Sequence, residues 1–89
     1  MTNVVNGQIG PKIQQFVWQR FPLARKRNLG PSDNLLESGV IDSMGVLELV
    51  GFIEQEFSIL VSDDDLTPEN FQNVDSIARF VERHTQAGS

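Results

Sequence analysis

The sequence contains no cysteine, a single histidine and a single tryptophan among its 89 residues. Without cysteine there is no disulfide framework, no thiolate zinc site and no cysteine nucleophile. Long apolar runs are also missing. With glycine allowed, the longest is Leu49 to Ile53, far short of the roughly 18–20 residues needed to span a bilayer. The opening Met1-Thr2-Asn3 leads into no basic stretch followed by an apolar one, so no secretory signal is expected. These absences predict a soluble, cytoplasmic chain without membrane insertion.

What is present suffices for a core. Leu, Ile, Val and Phe make up 29 of the 89 residues, well above the roughly 20% below which chains tend to stay disordered. The length predicts one domain over residues 1–89, ordered from about residue 8 to 84, with folding burying only about 60–65% of the chain's surface. The net charge of −5 is unevenly spread. Residues 1–34 carry Lys12, Arg20, Arg25, Lys26 and Arg27 against Asp33, a balance of +4; the remainder sums to −9. The acidic portion repels phosphate, so no nucleic-acid partner is expected. It would attract a basic partner surface, with steering that weakens as salt rises. Arg25-Lys26-Arg27 lacks interleaved aromatics and reads as a solvated loop.

Ile9, Ile13, Phe16 and Val17 recur at helical spacing, with Pro22 ending the pattern. This predicts a first helix from about 8 to 20, with Pro11 in its first turn. Residues 22–41 form a long connection, pinned by Leu29, Leu35, Leu36, Val40 and Ile41, of a length that is often functional. Asp42 is a good N-cap for a second helix running to about Phe57. Its buried stripe is Val46, Leu49, Val50, Ile53 and Phe57. Its outer face is Met44, Glu48, Gly51 and Gln55, flanked by Leu47 and Phe52, with Gly51 hinting at close approach by a neighbour. Thr67-Pro68 starts a short helix from about 68 to 72 with Phe71 turned inward. Asp75 is expected to cap a last helix with Ile77, Ala78, Val81 and His84 as its stripe and Phe80 beside it. Ile59-Leu60-Val61 is strand-like but lacks an evident partner. The predicted fold is all-α: a small four-helix bundle of three main helices and one short one, with a long loop between the first two.

Catalytic chemistry finds little footing. His84 near the C-terminus reads as a surface or half-buried helix-end residue. A relay with a serine and a carboxylate needs a cleft that so small a chain has little room for. The acidic run from Asp63 fails as a calcium loop. The sixth place, Pro68, and the twelfth, Val74, cannot fill the roles of glycine and glutamate. No phosphate-cradling glycine loop is present. One constellation stands out: Gly39-Val40-Ile41-Asp42-Ser43-Met44 leading into the acidic amphipathic helix. Ser43 falls in the first helical turn, where the dipole favours a phosphodiester. The dipeptide Asp42-Ser43 alone reads as an ordinary pair of cap residues.

The stretch Leu35 to Leu49 closely resembles the acyl carrier protein family and its peptidyl- and D-alanyl-carrier relatives, whose motif is Asp-Ser-Leu or Asp-Ser-Met after a Gly and two apolar residues. The resemblance continues through Glu54-Gln55-Glu56-Phe57, Ile59 to Val61, Asp65 to Phe71 and Ser76-Ile77-Ala78. It covers about residues 35–84. It implies a four-helix carrier fold of the acyl-carrier type and a non-enzymatic role. It further implies a 4′-phosphopantetheine cofactor, transferred from coenzyme A to the serine matching Ser43, whose thiol carries an acyl or aminoacyl thioester. A flexible tether raises the effective concentration of such a cargo. The implied partners are a phosphopantetheinyl transferase, an acyl- or aminoacyl-loading ligase and a downstream acyltransferase or synthase, met by a monomer. On the second helix, Met44 and Leu47 are then expected to offer apolar contacts, while Asp42, Glu48 and Glu54 steer basic partner surfaces. Met44 in place of Leu, Gly45, the basic 25–27 run and the N-terminal extension depart from the general pattern. They fit a specialised stand-alone carrier in a secondary-metabolite, lipid or aminoacyl pathway. Two other readings are a non-catalytic interaction module using the acidic second-helix face, and a small hydrolase built on Ser43 and His84.

Overall fold

The computed structural model describes residues 6–88. Five α-helices follow one another: α1 Asn6–Arg20, α2 Pro22–Lys26, α3 Ser43–Phe57, α4 Pro68–Phe71 and α5 Val74–Gly88, with a 3-10 turn at Asp63–Asp65. No strand occurs among the described residues. The expected all-helical bundle with a long connection into the Asp42-capped helix is present, and that helix is α3. The ends differ from expectation. α1 starts at Asn6, which puts Pro11 inside the helix and beyond its first turn. At the other end, α5 continues to Gly88. Expectations for residues 1–5 and 89 lie outside the described residues.

Three long helices face one core. Ile9, Ile13 and Val17 of α1, Leu49, Ile53 and Phe57 of α3, and Val74, Ile77, Phe80 and Val81 of α5 are buried together. Each fully buried side chain of this kind contributes roughly 1.5–3 kcal/mol. Of the predicted α3 stripe, Val46 and Val50 are only half-buried and pack on the core's edge; Gly45 is buried in their place. Phe71 is buried as expected, and α4 is one turn capped by the Thr67 hydroxyl.

Pro22 ends α1, as predicted, but it also begins α2. Its fixed φ and missing N–H suit the first position of a helix as well as they oppose an interior one. Phe21 supplies the non-helical joint, at φ −122° and ψ 87°. One short helix therefore stands inside the segment read from sequence as loop, with Ala24 buried against the core. The rest of the connection is tied down. Gln14 Nε2 and Trp18 Nε1 donate to the Leu29 carbonyl at 2.8 and 3.1 Å. Leu35 N donates to Gln72 O at 2.7 Å, and Asp75 N to Pro31 O at 3.0 Å. Leu35 and Ile41 are buried. Gly39 turns the chain at φ +78°, a conformation that favours glycine.

Two further expectations are corrected. The cap of α5 is Asn73, whose Oδ1 accepts from Ser76 N at 2.7 Å, while Asp75 lies in the first turn. Ile59-Leu60-Val61 forms no ladder: Val61 N donates to Glu54 Oε2 at 2.9 Å, and Leu60 is exposed. Asp65 organises the turn before α4. Its carboxylate accepts from Ser62 N at 3.1 Å and Ser62 Oγ at 3.0 Å, and His84 Nε2 lies 3.6 Å away. The Ser62 backbone bond, aided by the hydroxyl and His84 and opposed by partial desolvation, lowers its pKa from the ordinary 3.8. A carboxylate with a depressed folded pKa stabilises the fold above its unfolded pKa and loses that contribution as pH falls through the folded value. Asp65→Asn should therefore lower the urea midpoint at pH 7, and its difference from wild type should shrink as pH drops below about 4.

The two glycines of α3 behave oppositely. At Gly51 an added Cβ meets nothing within 4 Å, so no described part of the chain itself makes a close approach there. At Gly45 it would lie 2.9 Å from Ile41 Cγ2 and 3.0 Å from Phe21 Cε1. Gly51→Ala should raise stability by up to about 1 kcal/mol through helix propensity. Gly45→Ala should lower it by about 1–3 kcal/mol, because the overlap must be relieved in a packed site. Equilibrium urea unfolding of both variants checks the contrast.

Candidate functional site

The site is built where the long connection enters α3. Asp42 is in extended geometry and its Oδ1 accepts from Gly45 N at 2.9 Å, while its carbonyl accepts from Val46 N at 2.9 Å. The cap sets the first helical residue, and that residue is Ser43. The Ser43 side chain is exposed, and its hydroxyl makes no hydrogen bond among the described residues. With Gly45 N taken by the cap, the N–H groups of Ser43 and Met44 are left without intrahelical partners. They put the positive end of the helix dipole beside Ser43.

Beside Ser43 lies an open cavity of about 410 Å³. Its walls are mainly apolar: Leu36 and Ile41 from the connection, Val46 and Leu47 from α3, Leu66, Pro68 and Phe71 at α4. Val46, read from sequence as core alone, is thus also cavity wall. The α4 side of the wall was missed from sequence; its signal was the apolar Leu66 and Phe71 bracketing a helix start. These residues fit a phosphopantetheine group: an exposed hydroxyl for the covalent bond, a positive helix end for the phosphodiester, and an apolar hollow at arm's base.

Around the serine, Met44 and Leu47 are 67% and 55% exposed. The predicted steering acids are placed differently from one another. Asp42 is exposed but spends one oxygen on its cap. Glu48 forms an ion pair with Arg20 of α1. Glu54 is half-buried and holds Val61 N. His84 is not brought to Ser43's cavity: its Nδ1 lies 3.2 Å from Phe80 O and its Nε2 faces Asp65. A Ser43–His84 relay is therefore not assembled. Among the described residues, no cluster of three or more His, Asp or Glu side chains has the arrangement to hold a metal ion. No described helix is long and apolar enough to cross a membrane.

Residues 18–81 match the family model described as the phosphopantetheine attachment site. The match begins in α1 and ends in α5, so it contains the whole site. The chain belongs to the acyl carrier protein family. The family's cofactor is 4′-phosphopantetheine, and its members carry acyl or aminoacyl groups. An "Aminoacyl carrier protein 2" of Bradyrhizobium diazoefficiens is 34% identical over 59 residues, covering 66% of this chain and 65% of that protein. The match thus spans slightly less than two thirds of that relative. The "Acyl carrier protein" of Phytoplasma mali is 33% identical over 73 residues, covering 82% and 83%. A Serratia protein named "Probable acyl carrier protein PigG" is 28% identical over 72 residues, covering 81% and 83%.

Because the cap fixes where this carrier's α3 begins, Asp42→Ala should destabilise the fold by about 1 kcal/mol. Its amide spectrum should change at Ser43 to Val46 first, a pattern that two-dimensional NMR resolves directly.

Proposed function

We propose that this chain is a cytoplasmic carrier in a specialised biosynthetic pathway, with Ser43 as the attachment point of 4′-phosphopantetheine and one domain doing the carrying. One observation bears most of the weight: the serine of the Asp42-Ser43-Met44 motif is the exposed first residue of α3, at the rim of an apolar hollow. When attached, the group supplies a thiol that holds the cargo as a thioester. The chain's own residues do the rest. Asp42 sets the helix start, the Ser43 and Met44 N–H groups favour the phosphodiester's negative charge, and Leu36, Val46, Leu66 and Phe71 offer apolar cover. Met44 and Leu47 are the contacts nearest the serine for enzymes that load or unload it.

On this reading the carrier makes and breaks no bonds in its cargo. Its partners are a phosphopantetheinyl transferase, a loading ligase for an acyl or aminoacyl group, and an acyltransferase or synthase that takes the cargo onward. The relatives' names span both acyl and aminoacyl carriers, and both cargo classes fit a thioester on the same arm.

Incubated with coenzyme A and a broad-specificity transferase, the wild-type chain should gain the mass of one phosphopantetheinyl group. Ser43→Ala should keep its helical circular-dichroism spectrum and gain nothing. Failure of the wild type to gain mass, or an equal gain by the variant, rules the assignment out.

A further inference from the structure

Away from Ser43, α1 carries a stripe without charge, from Gly10 and Pro11 through Gln14 and Gln15 to Trp18 and Gln19, repeating every four residues. From Pro11 onward it lines, with Arg25 of α2, an open depression of about 440 Å³. Gly10, Pro11 and Gln14 also line a second depression of about 300 Å³, closed by Pro31 and by Val74 and Asp75 of α5. The shared Pro11 and Gln14 make the two one trough, with Arg25 at one end and Asp75 at the other. No residue of it lines the cavity beside Ser43. Gly10 and Pro11 are unfavourable inside a helix: glycine costs about 1 kcal/mol against alanine, and proline removes a hydrogen bond. Gly10 keeps the floor low, since a Cβ there would meet nothing within 4 Å. Trp18 is half-buried, its ring held by the bond from Nε1 to Leu29 O. Gln15 and Gln19 are exposed. Among the described residues, neither Arg25 nor Asp75 forms an ion pair; Arg79, one turn beyond Asp75, bonds Ser76 Oγ at 3.4 Å. The family match begins at Trp18, so the stripe from Gly10 to Gln15 lies outside it.

We propose that this trough binds an extended, proline-bearing segment of a partner protein, with an acidic residue of that segment on Arg25. The chemistry of the walls selects that occupant. Trp18 has its only donor committed to Leu29, so it offers a ring, and prolyl rings dock on such aromatic walls. The primary amides of Gln15 and Gln19 both donate and accept. They suit a backbone whose own N–H and C=O groups are unpaired, whereas a helical segment satisfies its own. From Gly10 to Trp18 the stripe is about 12 Å long, which matches about four residues of polyproline-type chain. The lining holds one cation, opposed by Asp75, while a nucleic-acid backbone needs several cations along its path. Held by this face, the carrier leaves its Ser43 end open to the enzymes that load and unload it. The surface goes beyond the attachment reading and does not depend on it.

Trp18 is the sole tryptophan, so its emission reports on the trough directly. The full chain is titrated with three capped peptides free of aromatic residues. One is proline-rich and ends in two glutamates, the second is the same but ends in two lysines, and the third is an alanine-rich helix carrying two glutamates. The proline–glutamate peptide should shift the emission saturably, with affinity falling as salt rises. The other two should bind about tenfold more weakly or not at all. Arg25→Glu should weaken the first peptide about fivefold, and Lys26→Glu, an equal charge change outside the trough, less than about twofold. Gln15→Glu, on the stripe itself, should weaken it about threefold by repulsion. All three variants change exposed side chains, and their circular-dichroism spectra should match wild type. Ser43→Ala should bind as wild type does, so failure of this surface and failure of the attachment assignment are read separately. No saturable shift with the proline–glutamate peptide overturns the proposal. Equal binding of the lysine or helical peptide, or equal effects of the Arg25 and Lys26 reversals, overturns it too.

Discussion

The bond from Gly45 N to the Asp42 carboxylate is the constraint on which the site depends. It decides where a helix of fifteen residues starts. A start one residue later would turn Ser43 off the helix, and one earlier would move it one place in from the helix end. The bond also consumes one of the helix's orphan donors and leaves two beside the serine. A single capping interaction, worth about 1 kcal/mol, thus couples local backbone geometry to the electrostatics around Ser43, the proposed attachment point.

Around this cap the fold is arranged by volume as much as by charge. Gly45 carries no side chain, and the Phe21 ring and Ile41 occupy the space a Cβ would need. Alanine there would gain about 1 kcal/mol in helix propensity against the cost of displacing Ile41 and Phe21. The approach of Phe21 sets the joint before α2 against the start of α3. Phe16 stacks on Phe52 at 4.2 Å and meets Phe21 edge-on at 6.3 Å, which joins α1, the joint before α2, and α3 in one aromatic row.

Much of this was legible beforehand. The Asp42 cap, the exposed Ser43 with Met44 and Leu47, and the burial of Leu49, Ile53, Phe57 and Phe71 follow from helical periodicity and capping chemistry, which are local. The misses are non-local or ambiguous. Proline ends one helix and starts the next with the same ring, so α2 was hidden. Gly51 and Gly45 look alike in sequence; only the fold places Phe21 over one and solvent over the other. Asn73 outcompetes Asp75 as a cap because the backbone turns two residues earlier than the acid suggests. The ion pair of Glu48 with Arg20 joins residues far apart in the chain, and no spacing rule announces it. Pairing of this kind changes a sequence's apparent charge pattern into a different surface pattern.

The account stands on one oxygen. After incubation of the purified chain with coenzyme A and a transferase, fragmentation mass spectrometry assigns any added group to a residue. The account predicts a single phosphopantetheinyl group located at Ser43. An unmodified chain under conditions that fully modify a control carrier, or a group located at any other serine, would contradict it.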